Sequence, residues 1–401
     1  MTTDSDAAPS MLPLEGLLVA DFSRVLAGPL ATMTLADLGA RVIKVERPGE
    51  GDDTRQWGPP FSSTGSTYFE SVNRNKESVC LDLGHEADLG VAVQLALAAD
   101  IVVENFRPGG MDKLGLGYDR LSRDNPGLIY ASISGFGSSG GADLPGYDFM
   151  VQALGGLMSI TGDAVGSPTK VGVALVDVLT AKDATIGILA AIHARTETGR
   201  GRRFEVNLLS SLQGALANQG QAYLGAGVVP QRMGNAHPSI APYELLNCAD
   251  GPLAVACGND GQFRAILGVL ALEEFLLDER FSTNHARVTN RTELVAMLES
   301  RLATDEASVW QAAFGAVGVP AGQVGTIESG IELAESLGLA PTISVQDATG
   351  TTVGTQIRNP ITWSPPLAPR TIAPPALGEH DDAVREWLAS VGSPLAGAAE
   401  R

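Results

Sequence analysis

Asp177 lies in the stretch KVGVALVDVLTAKDATIG, where an apolar, strand-like run meets an apolar helical one. An ionised carboxylate in such surroundings needs a partner, a helix to cap or a chemical task. As an N-cap it would accept the free N–H groups of the helix that follows, a place where aspartate is favoured. As a reactive group at a helix start beside a glycine-rich loop, it would be well placed to act as nucleophile or base. Residue type and spacing leave both roles open.

A second set of candidates is basic. Arg24 falls in the first loop, Lys44 and Arg47 on the second strand, and Arg107 and Lys113 after the segment ENF. All lie near expected strand ends, where doubly wound sheets bind ligands, and several cations there would hold phosphates by charge-assisted hydrogen bonds. The competing reading is ordinary surface charge. In SISGFGSSGG, Gly135, Gly137 and Gly140 satisfy GxGxxG, while Gly137, Ser139 and Gly141 satisfy GxSxG. Both motifs require a helix to open at once. Pro145 and the many glycines point instead to a flexible loop over a ligand. None of the five histidines makes a metal-like i,i+4 pair; His193 reads as a core or interface residue and His237 as a loop residue able to face a ligand. The three cysteines, Cys80, Cys248 and Cys257, are widely spaced and support neither a disulfide framework nor a zinc site. No metal is expected.

The elements that must position these groups begin with GLLVADFSRVLAGPLATMTLADLGARVIKVERPG. It reads as strand, loop, helix and strand, the size of one βαβ unit. Pro29 suits the first turn of that helix and Gly39 its end. Further strands are expected over 78–83, 100–106, 128–136 and 170–177, with helices such as EADLGVAVQLALAA between them. That alternation means an α/β fold whose parallel sheet is covered on both faces. Beyond it a long helix leads into a Pro- and Gly-punctuated segment, mainly helical material follows, and DDAVREWLASVG closes the chain as a helix.

A chain of 401 residues can form two domains. No apolar run approaches the ~18 residues of a membrane span. The polar, acidic start MTTDSDAAPS lacks the marks of a signal peptide, so a floppy tail and a cytoplasmic location are expected. The formal net charge is -19, with Lys+Arg 27 against Asp+Glu 46. Nucleic acid and anionic membrane are thereby disfavoured as partners, whereas an anionic small ligand suits a local gathering of basic residues.

In chain order, NRNKESVCLDL, ENFRPGGMDKLGLGYD, NPGLIYASISGFG, PTKVGVALVD, TGRGRRFEVNLL, GNAHPSIAPY, FSTNHARVTNR and VPAGQV follow that opening segment. With them the chain resembles, over nearly its whole length, the family III CoA-transferases. That group includes formyl-CoA transferase, carnitine CoA-transferase and the 2-methylacyl-CoA racemases. The resemblance implies that Asp177 attacks a donor acyl-CoA, passing through an aspartyl anhydride and an aspartyl-CoA thioester before an acceptor carboxylate takes over. It places Arg24, Val25, Leu26 and Ala27 around the pantetheine, Arg47 and Lys113 near the phosphates, and Asn105 and Phe106, next to Arg107, beside the nucleotide. Leu81, Asp82, Tyr147 and Asp148 fall at further contact positions. Coenzyme A would be substrate and product, with no permanently bound cofactor, and the partners an acyl-CoA and a small carboxylic acid.

The resemblance also implies a Rossmann-like large domain plus a smaller α+β domain, in an interlocked, ring-like homodimer. The expected division is a flexible tail at 1–11, the first part of the large domain at 12–205, and a linker helix at 206–234. A small domain at 235–325 and a closing part at 326–401 complete it. Two departures bear on chemistry. The racemases carry a histidine where this chain has Tyr147, which argues against epimerisation of 2-methylacyl-CoA, the alternative activity. Formyl-CoA transferase has a glutamine at Leu26 and a tetraglycine loop at GNAHPSIAP, which argues against oxalate/formate exchange.

Overall fold

The computed structural model describes residues 11–391, so the expected tail lies, but for Met11, outside the described residues. The chain divides into two compact units. One takes in residues up to 155, 172–221 and 340 onward; the other takes in 156–171 and 222–339.

The first unit is built on a parallel sheet of six strands: β1 (Leu18–Asp21), β2 (Arg41–Glu46), β3 (Lys76–Cys80), β4 (Ile101–Glu104), β5 (Ile129–Ser134) and β6 (Arg203–Asn207). Their order is β3-β2-β1-β4-β5-β6, and every pairing is parallel. The order reverses between β1 and β4, which is where open α/β sheets leave a crevice beyond the strands' carboxyl ends. β1 and β4 are buried along their whole length, as the middle strands of a two-sided sheet must be. Leu18 and Ala20 pack into a core with the helix Glu86–Ala98 and with Val384 and Leu388 of the last helix, Asp381–Val391. That last helix is tied to β3, since Asp381 accepts from the Cys80 N–H and Arg385 donates to the Cys80 carbonyl.

Two expectations are corrected. Residues 170–177 form no strand: the helix Leu175–Thr198 begins within them. The outer edge of β5 is already occupied by β6. The apolar run instead buries a helical stripe, Val176, Thr180, Ala181, Ala184, Ile188 and Ala191. A short apolar run is ambiguous between the two periods. The single linker helix expected over 206–234 is two helices, Leu208–Ala215 and Ala217–Ala226, after a strand that runs to Asn207. Ala217 takes a left-handed φ of 43°, which breaks the ladder, and the Asn207 side chain caps the first of the two.

The second unit contains an antiparallel sheet of β7 (Tyr243–Asn247), β8 (Pro252–Ala256) and β9 (Ala321–Gln323). Its core joins Leu253 and Val255 to Phe263, Leu267, Leu294, Leu298, Trp310 and Phe314 from the surrounding helices. Arg287 and Arg291 donate to the carbonyls of Ala241, His237 and Ile240, so the segment GNAHPSIAPY is held by the segment FSTNHARVTNR. Among the described residues no helix is long and apolar enough to cross a membrane.

Candidate functional site

The loop after β1 is held atom by atom. Ser23 donates its N–H to Asp21 and its carbonyl accepts from Lys44 at 2.8 Å. Asn105, just past β4, accepts the Arg24 N–H at 3.0 Å and donates to the Arg24 carbonyl at 2.7 Å. Asp52 accepts the Val25 N–H. So constrained, Val25 adopts φ 72°, a conformation disfavoured for a β-branched residue. The chain then enters the helix Ala27–Asp37 with Leu26 at its cap position and no side chain capping it. Gly28 is required here: a Cβ on it would lie 2.2 Å from the Ser23 side chain.

Beneath the loop is a buried charged network. Lys44 and Asp52 pair at 2.8 Å, and Lys76 and Asp21 at 3.1 Å, with all four side chains nearly inaccessible. Burial works against each charge, but the pairing wins for three: Lys44 is raised, and Asp21 and Asp52 lowered, from their ordinary values. For Lys76 burial outweighs Asp21, with Lys44 adding like-charge repulsion, and its pKa falls to about 8. Lys44, read from sequence as a phosphate-binding candidate, is therefore a structural cation. Asn105→Ala should loosen this loop without touching the charge network. The expected result is about tenfold weaker binding of an anionic ligand at this loop, by loss of about two hydrogen bonds of ~0.5–1.5 kcal/mol each, as calorimetric titration would measure.

Asp177 is the third residue of its helix, and Ala174 takes the cap position without a side-chain bond. Asp177 is thus not the N-cap. The first turn is satisfied by Asp148, whose Oδ1 accepts from the Val176 N–H at 2.8 Å and the Asp177 N–H at 3.3 Å. The other oxygen of Asp148 accepts from the buried Gln152 at 2.6 Å. Burial and then the Asp148 charge push the Asp177 carboxyl up to about 7. Tyr68 lies close enough that burial, Asp177, Asp148 and Asp52 raise it to about 12, so it stands as a neutral hydroxyl. Trp57 packs edge-on against it, ring centroids 5.0 Å apart.

Two adjoining clefts, both lined by Arg24 and Phe106, open beyond the strand ends. One of ≈ 210 Å³ holds Val25, Leu26, Ala27, Trp57, Asn105, Arg107, Tyr147 and Asp177, roofed by the glycine loop from Gly135 to Gly146. Gly135 and Gly146 cross so closely that a Cβ on either would lie 2.3 or 2.4 Å from the other's Cα. The other, ≈ 500 Å³, is lined by Arg47, Leu81 and Asp82. The structure thus gathers nearly all the expected residues. Asp148 stands behind Asp177, while Lys113 is exposed and outside both linings, next to Leu114, which lines the larger one.

Sequence reasoning missed Asp52, Asp53, Trp57 and Tyr68. Asp52 meets Val25, Asp53 meets Arg24 and Tyr68 comes near Asp177 across long stretches of chain, which no local spacing marks, and Trp57 packs on Tyr68. His237 belongs to the second unit, where its Nδ1 accepts from the Ser239 N–H at 3.1 Å. His193 is exposed rather than in the core. The three cysteines are free, and among the described residues no group of three or more His, Cys, Asp or Glu gathers as a metal site.

The sequence pattern of CoA-transferase family III matches residues 14–381. Over 320 residues the chain is 44% identical to the succinyl-CoA:glutarate CoA-transferase of Mus musculus, an alignment covering 80% of this chain and 73% of that one. Over 344 residues it is 41% identical to the acetyl-CoA:oxalate CoA-transferase of Acetobacter aceti, covering 85% and 86%. A crystal structure of a CAIB/BAIF family protein from Brucella suis matches with a TM-score of 0.84 at 42% identity, covering 94% of this chain and 100% of that one. The chain belongs to the family III CoA-transferases.

Proposed function

We propose that this enzyme moves CoA between small carboxylic acids with Asp177 as the covalent nucleophile. An Asp177 oxygen attacks the thioester carbonyl, the C–S bond breaks, and CoA leaves as thiolate, giving an aspartyl anhydride. The thiolate attacks the Asp177 carbonyl and expels the donor acid, leaving an aspartyl-CoA thioester. The acceptor carboxylate attacks that thioester, and the thiolate then takes the new acyl group and frees Asp177. The observation that carries this reading is a cleft-facing carboxylate at a helix start that caps nothing. Another carboxylate does the capping. N–H groups of the glycine loop and the neutral Tyr68 hydroxyl are the donors available to a developing oxyanion.

The names of the relatives support dicarboxylic acids such as succinate, glutarate and oxalate as donor or acceptor. Because one such relative acts on oxalate, the Leu26 departure speaks only against the formyl-CoA pair. CoA fits the two clefts with its phosphates toward Arg24 and Arg47. A panel of acyl-CoA donors and dicarboxylate acceptors in heavy water, read by mass spectrometry, tests the proposal. Acyl exchange into the added acid is expected. Rapid α-deuterium incorporation without exchange would replace it with the racemase reading, which Tyr147 disfavours.

We also propose that the working form is an interlocked homodimer. The helix Ile327–Ser336 has no buried residue, and Ile327, Leu333, Leu337 and Leu339 are each more than half exposed. A single chain leaving so much apolar surface bare calls for a cover. Rings that interlock cannot separate without unfolding, so sedimentation should show a dimer of constant mass on dilution to nanomolar concentration. A reversible monomer–dimer equilibrium there would exclude interlocking.

A further inference from the structure

Arg24 and Arg47 do not stand as free cations. Asp53 lies between them: its Oδ2 is 3.1 Å from the Arg24 guanidinium and its Oδ1 is 2.9 Å from that of Arg47. Glu50 reaches the other Arg47 nitrogen at 3.5 Å. Two cations therefore face two carboxylates. Yet the same arginines line the clefts where a polyanionic ligand is to be held.

The supports of these groups differ in stiffness. Asp53 follows the buried Asp52, whose N–H is bonded to Glu46 and whose carboxylate is bonded to Lys44, Val25 and Thr54. Arg24 is pinned through both its backbone groups by Asn105. The backbones of Arg24 and Asp53 are held, whereas the side chains reach solvent: Arg24, Arg47 and Asp53 are 57%, 53% and 35% exposed. A rotation of the Asp53 side chain into solvent frees the Arg24 guanidinium, leaves Arg47 only its longer 3.5 Å pair with Glu50, and keeps the loop undisturbed.

We propose that Asp53 is a built-in counter-anion, occupying the arginine pair until a CoA phosphate displaces it. This rests on the reading that CoA phosphates meet Arg24 and Arg47. A phosphate offers more charge and more acceptor oxygens than one carboxylate, so the exchange favours the ligand. A lone carboxylate gains little by the same exchange. The device keeps the arginines ordered in the empty enzyme and holds CoA affinity low enough for release.

The consequence runs against the usual sign of a binding-site substitution. Calorimetric titration of CoA into the wild-type protein, Asp53→Asn, Arg47→Ala and the double variant provides the test. Asp53→Asn should bind CoA about 2–5-fold tighter at low salt, the size of an exposed ion pair. Pantetheine, which has no phosphates, should bind both proteins equally. In the Arg47→Ala background the gain from Asp53→Asn should shrink, because one of its partners is gone. If Asp53→Asn binds CoA no tighter, while Arg47→Ala still weakens it, Asp53 is a strut and the inference falls with the CoA reading intact. If CoA binding is indifferent to Arg47, both fall.

Discussion

Asp177→Asn should fold, bind CoA and lose transfer by about 10³–10⁴-fold or more, the loss typical of a removed nucleophile. Asparagine matches the shape of aspartate but cannot form the anhydride. The helix start will not suffer, because its N–H groups are held by Asp148 and not by Asp177. A merely structural role is excluded by a second readout. The Asp177 carboxyl is raised to about 7 by burial and by Asp148. Between its ordinary value near 4 and 7 the folded protein holds a proton that the unfolded chain releases, so this group makes stability fall as pH rises through that window. Asp177→Asn removes the penalty. Its stability should match the wild type near pH 4 and exceed it at pH 8, by on the order of 4 kcal/mol. Denaturant melts at the two pH values would show it. A variant both active above a hundredth of the wild-type rate and unstabilised at pH 8 would end the nucleophile reading.

Asp148 carries the second large effect, and its two substitutions should differ. Asp148→Ala removes the acceptor for the Val176 and Asp177 N–H groups and frees the helix start to shift. A displacement of the nucleophile by about 1 Å is enough for roughly a 10²-fold fall in kcat. Asp148→Asn keeps an acceptor oxygen but removes the like charge beside Asp177. Its kcat should be much less affected, while the acid limb of kcat/KM moves to lower pH. In the wild type that limb should rise through about 7, where Asp177 becomes ionised. Rate profiles from pH 5 to 9 would distinguish the two. Equal losses in both variants, with no shift of the limb, would make Asp148 a substrate contact rather than a positioning residue.

Much of this site was legible before any fold. Asp177 announced itself as a carboxylate in apolar company, and Arg24, Arg47 and Arg107 by their places near strand ends of a βα alternation, whereas Asn105 came only with the family resemblance. Hydrophobic period and chain order carry that information, because sheet order and the crevice at its reversal follow from local patterns repeated along the chain. The ordered family segments pointed to CoA transfer.

Only the tertiary structure decided what each charge does. Lys44 and Arg47 sit three residues apart on and beside one strand, yet one is sealed under the loop and the other meets solvent. The period-2 pleat and the position of Asp52 separate them. Asp148 and Asp177 are both carboxylates near helix starts, and nothing in their neighbours says which one caps. That is settled by a hydrogen bond across 28 residues. Tyr68, Trp57 and Asp53 reach the site by long-range packing, so their roles leave no periodic trace. The strand expected over 170–177 gave way to a helix start at Leu175 for the same reason: β6 had taken the sheet edge. Local sequence specifies what a residue can do, whereas burial and non-local partners specify its charge and its job.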